Sequence, residues 1–339
     1  AHKLLGYPEN SVGRLMAPDY IAIRQDWTVA ETLEYIRKHG EDKETLNVIY
    51  VVDEKGKLID DIRIREIILS PLDRNISELM DEHFTALNVH DDQEMAVELF
   101  KKYDRVALPV IDNFGVLIGI VTVDDVLDVA EEEATEDIQK IAGVTALEEP
   151  FHTIPLLSLL KKRVVWLTLL FIAQILTAVA MGFFENEISR AVVLSIFIPL
   201  VISSGGNSGS QAATLVIRAM AVGEIVLSDW WLIMRREILS GLMLGSILGV
   251  IGFLQVAILA NIFHVISSYW VLIGITVFCS LIGIVLWGTI SGSMLPFILK
   301  KLGADPATSS APLIATLCDV TGLVIYFSVA VLVLSGTLL

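Results

Sequence analysis

The chain has 339 residues, of which 54% are hydrophobic, and its mean hydropathy of +0.67 excludes an ordinary soluble protein. Residues 1–150 hold 33 of the 40 acidic and 15 of the 24 basic residues, a net charge of −18. This charge disfavours nucleic acid as a partner, because nucleic-acid binding depends on Lys and Arg that neutralise phosphates. Cys279 and Cys318 both lie in apolar runs, which excludes a disulfide framework and a zinc-binding spacing.

The acidic first part of the chain contains a repeat. The segment VGRLMAPDYIAI, which begins at Val12, matches ISELMDEHFTAL, which begins at Ile76, and the order β-α-β-β-α follows in each copy. This tandem resembles a CBS-domain pair. The resemblance implies an α+β fold with a first CBS domain over 1–75 and a second over 76–130.

The second copy matches the CBS pattern better than the first. In GIVTVDDVL, Thr122 and Asp125 occupy the positions where such domains contact a ribose and a phosphate. The first copy has Arg63 and Glu66 at the corresponding positions. Through the second copy, the resemblance implies an adenine nucleotide as a ligand at Thr122 and Asp125. The alternative is that the pair is a purely structural dimerisation module.

An acidic helix follows the repeat, over 124–150. Its carboxylates are Asp124, Asp125, Asp128, Glu131, Glu132, Glu133, Glu136 and Asp137. Like charges spaced three or four residues apart destabilise an isolated helix unless cations lie between them, and Mg²⁺ and Ca²⁺ prefer oxygen ligands. The pattern favours a cation-sensing helix, with a solvated helix face as the alternative.

The remainder of the chain, 151–339, is predicted to be an all-α membrane domain. Five apolar stretches each exceed the roughly 20 residues that a helix needs to cross the hydrocarbon; they begin at Val164, Ala191, Leu239, Tyr269 and Ser310. Lys and Arg concentrate on one side of these stretches, and Arg190 alone lies on the other. The positive-inside rule then predicts a multi-pass protein of the cell membrane with a cytosolic amino terminus and an external carboxyl terminus.

The second apolar stretch contains the polar run SSGGNSGSQ. Gly205 and Gly206 are expected to loosen the helix, and Asn207 and Gln211 place amides at membrane depth. Irregular backbone at that depth is tolerated where it faces a water-filled cavity or is buried in protein. We interpret these four residues as pore-lining, and close packing through small residues is the alternative.

The last stretch carries one carboxylate, Asp319, and it is the only acidic residue in the interior of a predicted span. An ionised carboxylate in hydrocarbon costs a few kcal/mol or more. A two-fold dimer would bring two copies of Asp319 to one axis, where a hydrated Mg²⁺ could be held. A helix-capping or proton-relay role is the alternative.

These motifs, and above all GGNSGSQAATLVIRAMAVGE and LIATLCDVTGLVIYFSVA, together resemble the MgtE family of magnesium channels. The resemblance implies a homodimer with a pore on the two-fold axis, Asp319 as its metal ligand, and Ala315 and Thr316 lining the same site. It also implies that the acidic helix is a plug helix. The regulatory Mg²⁺ ligands would be Asp92, Glu94, Asp104, Asp125, Asp128, Glu133, Glu136 and Asp137.

The sequence thus predicts a magnesium channel in the lipid bilayer, closed by cytosolic Mg²⁺, and not an enzyme. An ion-coupled secondary transporter for divalent cations is the alternative function, and a membrane-anchored sensor without transport is a third. The family resemblance also implies an acidic helical domain ahead of the CBS pair. We expect that sequence upstream of Ala1 is missing.

Overall fold

The computed structural model of the chain describes residues 6–147, 151–264 and 269–338. These residues form two compact units, Ala1–Thr135 and Glu136–Leu339.

The first unit confirms the predicted repeat of β-α-β-β-α. Its elements are α1 (Val12–Leu15), β1 (Ala22–Arg24), α2 (Val29–His39), β2 (Val48–Val52), β3 (Leu58–Arg63), α3 (Ile64–Leu69), β4 (Leu87–Asn88), α4 (Gln93–Tyr103), β5 (Ala107–Ile111), β6 (Leu117–Thr122) and α5 (Val123–Ile141), whose end lies in the second unit. In each three-stranded sheet the first strand pairs parallel to the second, and the second pairs antiparallel to the third.

Local sequence explains where the two main helices of the repeat begin. Thr28 caps α2, because its hydroxyl accepts the Glu31 amide while the Glu31 carboxylate accepts the Thr28 amide at 2.8 Å. Asp92 caps α4 and accepts the amide of Glu94 at 3.0 Å. Both helices then bury one apolar face against their own sheet.

The opening segment of each repeat packs on the other repeat. The Val12 amide in α1 donates to the carbonyl of Asp91 at 2.9 Å, and the Ile76 amide donates to the carbonyl of Trp27 at 2.8 Å. Val12 is buried in the core of the second sheet, whereas Ile76 is buried in the core of the first. The boundary between the sequence repeats therefore does not separate two cores, and each repeat completes the fold of the other.

The two hairpins of the repeats contact each other symmetrically. The Leu58 amide donates to the carbonyl of Gly115, and the Leu117 amide donates to the carbonyl of Gly56, both at 3.0 Å. Gly56 and Gly115 have φ values of +79° and +81°, a backbone conformation that glycine adopts without a steric penalty. These bonds join the two hairpins, which stabilises the first unit as one body.

The second unit is helical. Its helices are α6 (Leu156–Ala173), α7 (Ile175–Phe183), α8 (Glu185–Arg190), α9 (Ile198–Ala221), α10 (Trp230–Asn261), α11 (Trp270–Lys301) and α12 (Ala311–Leu334). Among the described residues, five segments are long and apolar enough to cross a membrane: Leu156–Phe183, Val192–Ala221, Leu227–Asn261, Trp270–Lys301 and Ala311–Leu334. Each segment overlaps one of the five predicted apolar stretches, and the predicted fold class is confirmed.

Helix α11 is the central element of the second unit. Half of its most apolar stretch of 18 residues is buried, whereas only 11% of the corresponding stretch is buried in the first span. Three glycines of α10, namely Gly241, Gly245 and Gly249, lie against the backbone of α11. These close van der Waals contacts hold the two helices together, because lipid provides no hydrophobic driving force for helix association.

The structure corrects one expectation for the second span. Gly205 and Gly206 were expected to loosen the backbone, but α9 is a regular α-helix from Ile198 to Ala221. A Cβ atom on Gly209 would lie 2.9 Å from the carbonyl oxygen of Gly288 in α11, and one on Gly292 would overlap the backbone of Gly209. Here the small residues bring two helices into contact, and tertiary packing offsets the low helix propensity of glycine.

Candidate functional site

Asp319 lies in the interior of α12, about two turns from its amino-terminal end. Its side chain is partly buried, and its carboxylate has no hydrogen-bond or ion-pair partner among the described residues of this chain. Carboxylates inside membrane spans are otherwise paired with a charge or face water. Because the described residues supply no partner, a cation, water or a second copy of the chain could provide one.

The start of α12 is held by polar contacts. Ser310 is the cap residue, and its hydroxyl accepts the amide of Leu313 at 3.4 Å and the indole N–H of Trp166 at 3.1 Å. On the neighbouring helix α9, the hydroxyl of Ser210 donates to the carbonyl of Ala311 at 3.2 Å. The position of the helix that carries Asp319 is thus set at its amino-terminal end.

The two residues predicted beside Asp319 take part in helix packing. Ala315 is partly buried against Gly206, since a Cβ on that glycine would lie 3.5 Å from the Cα of Ala315. Thr316 is buried, and its hydroxyl donates to the carbonyl of Pro312 at 3.0 Å. The pore-lining assignment of these residues stays a prediction.

The four residues predicted to line a pore lie on different faces of helix α9. Gly205 is buried against Ile284 of α11, and Gly206 is buried against α12. Asn207 and Gln211 are exposed on another face of the same helix. Since exposed amides in hydrocarbon are costly, this face needs water or another chain against it.

The acidic residues of α5 and α4 have local partners in several cases. Glu133 accepts a hydrogen bond from Gln93 Nε2 at 2.7 Å, and Asp125 accepts one from the Thr122 hydroxyl at 2.9 Å. Asp104 ends α4 in a left-handed conformation with φ of +48°. Nucleotide binding at Thr122 and Asp125 stays a prediction.

The remaining predicted regulatory acids are spread along the two helices. Asp92 and Glu94 form the amino-terminal end of α4, Asp128 is exposed on α5, and Asp137 is partly buried on the same helix. Within the described residues, no group of three or more His, Cys, Asp and Glu side chains lies close enough to hold a metal ion. A regulatory metal site is not preformed in that part of the chain.

The sequence reasoning missed a cluster at the end of α5. Lys140 Nζ lies 2.5 Å from Glu136 Oε1 and 2.6 Å from Asp305 Oδ2, which belongs to the connection between α11 and α12. Burial lowers the pKa of Lys140, but the hydrogen bonds to Asp305 and Glu136 outweigh it, so the pKa is raised and the ammonium stays charged. The spacing of Glu136 and Lys140 was a signal in the sequence, whereas the partnership with Asp305 was not.

The fold and the lone carboxylate define a multi-pass membrane protein that carries a CBS pair. The family model described as a divalent cation transporter, MgtE, matches residues 198–329, and the CBS-domain model matches residues 12–72 and 76–132.

Relatives of known name agree with these matches. The magnesium transporter MgtE of Thermus thermophilus is 40% identical over 336 residues, which cover 98% of this chain and 72% of that protein. The magnesium transporter MgtE of Bacillus subtilis is 33% identical over 330 residues, covering 96% of this chain and 70% of that protein. The chain therefore belongs to the MgtE family of transporters, and the prediction that it is not an enzyme is confirmed.

One solved structure is similar to part of this chain. It is described as the cytosolic domain of the Mg²⁺ channel MgtE in complex with ATP; it is 42% identical, covers 38% of this chain and 52% of that chain, and has a TM-score of 0.37.

Proposed function

We propose that this chain forms a homodimeric channel that conducts Mg²⁺ across the cell membrane. The observation that carries the proposal is Asp319, a carboxylate in a membrane-length helix with no partner among the described residues of its own chain. The name of the Thermus thermophilus relative, a magnesium transporter, supports Mg²⁺ as the transported ion.

A dimer explains how a single carboxylate per chain can hold a divalent cation. Closed two-fold symmetry places Asp319 of each chain opposite its copy, and two carboxylates balance the charge of one Mg²⁺. Two carboxylates leave most coordination positions to water, which suits an ion that sheds its hydration shell reluctantly. The proposed path is therefore a hydrated one.

The exposed polar face of α9 fits the same arrangement. Asn207 and Gln211 would face the water-filled axis or the second chain, where their amides can form hydrogen bonds. Gly205, Gly206 and Ala315 would support the wall of the path by packing α9 against its neighbours, and Thr316, which is buried on α12, would belong to the same wall.

The distribution of positive charge supports the proposed orientation of the chain. Lys161, Lys162, Arg235 and Arg236 belong to the side that the positive-inside rule places in the cytosol. In this orientation the first unit is cytosolic and the end of α12 lies outside the cell.

Regulation by cytosolic Mg²⁺ is the second part of the proposal. The acids of α4 and α5 would bind the cation and close the path. Because the described residues of one chain hold no group of three such side chains close together, the cation needs further ligands, such as those of the second chain.

The test is ion flux into liposomes that contain the purified protein. We expect Mg²⁺ influx in the wild type, loss of that influx in Asp319→Ala, and unchanged influx in Glu185→Gln, which removes an exposed carboxylate outside the spans. Mn²⁺, Co²⁺ and Ni²⁺ measured in parallel define the selectivity. Influx that persists in a folded Asp319→Ala variant would show that the pore assignment is wrong.

The same vesicles separate a channel from a coupled transporter. A channel gives Mg²⁺ current without a fixed ratio of H⁺ or Na⁺ movement, whereas a secondary transporter requires one. Inhibition by Mg²⁺ on the cytosolic side that is unchanged when Asp125, Asp128, Glu133 and Glu136 are neutralised would contradict the regulatory part.

We also propose an adenine nucleotide as a ligand of the second CBS repeat, at Thr122 and Asp125. The hydroxyl and carboxylate already lie 2.9 Å apart, a spacing at which both can contact one ligand. Calorimetric titration with ATP tests this proposal, and equal affinity in Asp125→Ala would contradict it.

A further inference from the structure

Lys140 joins two segments that are far apart in the sequence. Its ammonium lies between Glu136, one turn earlier in α5, and Asp305, 165 residues further along the chain. All three side chains are partly buried, with exposed fractions of 27%, 31% and 35% for Lys140, Glu136 and Asp305. Lys140 is the only basic residue of α5, so no other side chain of that helix can replace it.

Asp305 uses its two carboxylate oxygens for different contacts. Oδ2 accepts from Lys140 at 2.6 Å, while Oδ1 accepts the backbone amide of Ala307 at 2.8 Å and so caps the short 3-10 helix Pro306–Thr308. The hydroxyl of Thr308 donates to the carbonyl of Asp305 at 2.6 Å. The connection from α11 to α12 is therefore internally ordered, and its position depends on where Asp305 is held.

The turn after α5 contacts the first residues of α12. Gly143 has φ of +74°, and a Cβ at this position would lie 2.8 Å from the Trp166 ring and 3.4 Å from Pro312. Trp166 in turn donates to the cap hydroxyl of Ser310. The end of α5 and the start of α12 thus share one polar and aromatic junction.

An apolar cluster lies beneath this junction. Ile141, the residue after Lys140, packs against a buried group that includes Ala307, Ile314 and Cys318. Cys318 precedes Asp319 in the chain. A displacement of the end of α5 would therefore act on the helix that carries the carboxylate.

We propose that Lys140 is a positioning residue, whose ion pair with Asp305 sets where α12 begins and thereby aligns Asp319 in the conduction path. This inference rests on the proposed function. A functional group must be held within about 0.5 Å of its productive position, and a helix transmits a shift of its end along its axis. Lys140 does not itself contact the ion.

The experiment compares Mg²⁺ flux in liposomes for Lys140→Met, Asp305→Asn, Lys140→Arg and the double variant Lys140→Met with Asp305→Asn, in which the asparagine keeps an oxygen that can cap Pro306–Thr308. We expect each of the first two variants to lower the maximum flux about two- to fivefold, the range of a partly exposed ion pair, with the half-saturating Mg²⁺ concentration unchanged. Lys140→Arg should keep most of the flux, because it keeps a cation between two carboxylates. The double variant should lose no more flux than either single variant, because both single changes break the same ion pair.

A second measurement follows the position of α12 directly. Hydrogen exchange of the amides between Ala307 and Ile314 should be faster in Lys140→Met and Asp305→Asn, and no faster in the double variant than in either single variant. Lys301→Met is the matched control, because it removes an exposed lysine close to the same connection and should change neither quantity.

Wild-type flux and exchange in both single variants would overturn the proposal, as would a double variant in which the losses of the two single variants add up. If one single variant does not fold, the other decides. Flux that persists in Asp319→Ala would instead overturn the proposed function, so the two failures are distinguishable.

Discussion

Two aspartates show how differently the two units treat a carboxylate. In the first unit, Asp60 is 1% exposed and accepts three backbone amides, those of Asp61, Asp81 and Glu82, at 2.8, 2.9 and 3.0 Å. In the second unit, Asp319 has no such partner among the described residues. The backbone amides around Asp60 account for the first carboxylate, whereas the described residues supply no partner for the second.

The units also differ in how their elements are held together. The first uses hydrogen bonds between loops and caps, such as those of the two hairpins. The second uses close contacts between helices at glycines, because lipid offers no hydrophobic gain for helix association. Substitutions of matched size and charge should therefore act differently in the two units.

The largest effect is expected for Gly292→Leu. The new side chain would overlap the backbone of Gly209, so α9 and α11 would be forced apart at a cost above about 3 kcal/mol. Size-exclusion chromatography in detergent should show loss of the folded species. Gly182→Leu is the control, since nothing lies within 4 Å of the added Cβ, and equal behaviour of the two variants would contradict this account of α9 and α11.

The second-largest effect is expected for Asp60→Ala, with a loss of about 3 kcal/mol in the local stability of the first unit, because three backbone amides lose the buried carboxylate that accepts their hydrogen bonds. Hydrogen exchange of β2 and β3 measures this loss in the full chain. Asp42→Ala removes an exposed carboxylate and should leave exchange unchanged. Equal hydrogen exchange of β2 and β3 in the two variants would contradict the structural role given to Asp60.

Asp319→Asn is expected to raise the stability of the second unit, whereas the two preceding substitutions lower stability. Neutralising an unpaired carboxylate in a membrane span is expected to stabilise the second unit by about 1–2 kcal/mol in Mg²⁺-free buffer. Thermal unfolding in detergent tests this, and added Mg²⁺ should stabilise the wild type but not the variant. A variant less stable than the wild type without Mg²⁺ would indicate an internal partner for Asp319.

The smallest effect is expected for Thr28→Ala, about 1 kcal/mol, because the capping box of α2 is lost while the buried face of the helix remains. Hydrogen exchange at the first turn of α2 reports it. Thr28→Ser keeps the hydroxyl and should behave as the wild type, and a Ser variant as labile as the Ala variant would exclude the capping contribution.

Much of the fold could be predicted because it depends on local patterns. Apolar stretches longer than 20 residues indicate membrane spans whatever their neighbours are, since the hydrocarbon has a fixed thickness. Alternating strand patterns and turn residues such as Gly56 and Gly115 mark the repeat. The isolation of Asp319 among apolar residues was also visible in the sequence.

Other features depended on contacts between distant residues. The sequence by itself determined the units, the spans and the carboxylate at Asp319, because each follows from local composition. Only the tertiary structure decided that Gly205 and Gly206 pack against other helices, that each repeat opens on the core of the other, and that Lys140 pairs with Asp305. A local sequence pattern does not specify which distant residue will contact a given glycine or charge, because the packing of the whole unit determines these contacts.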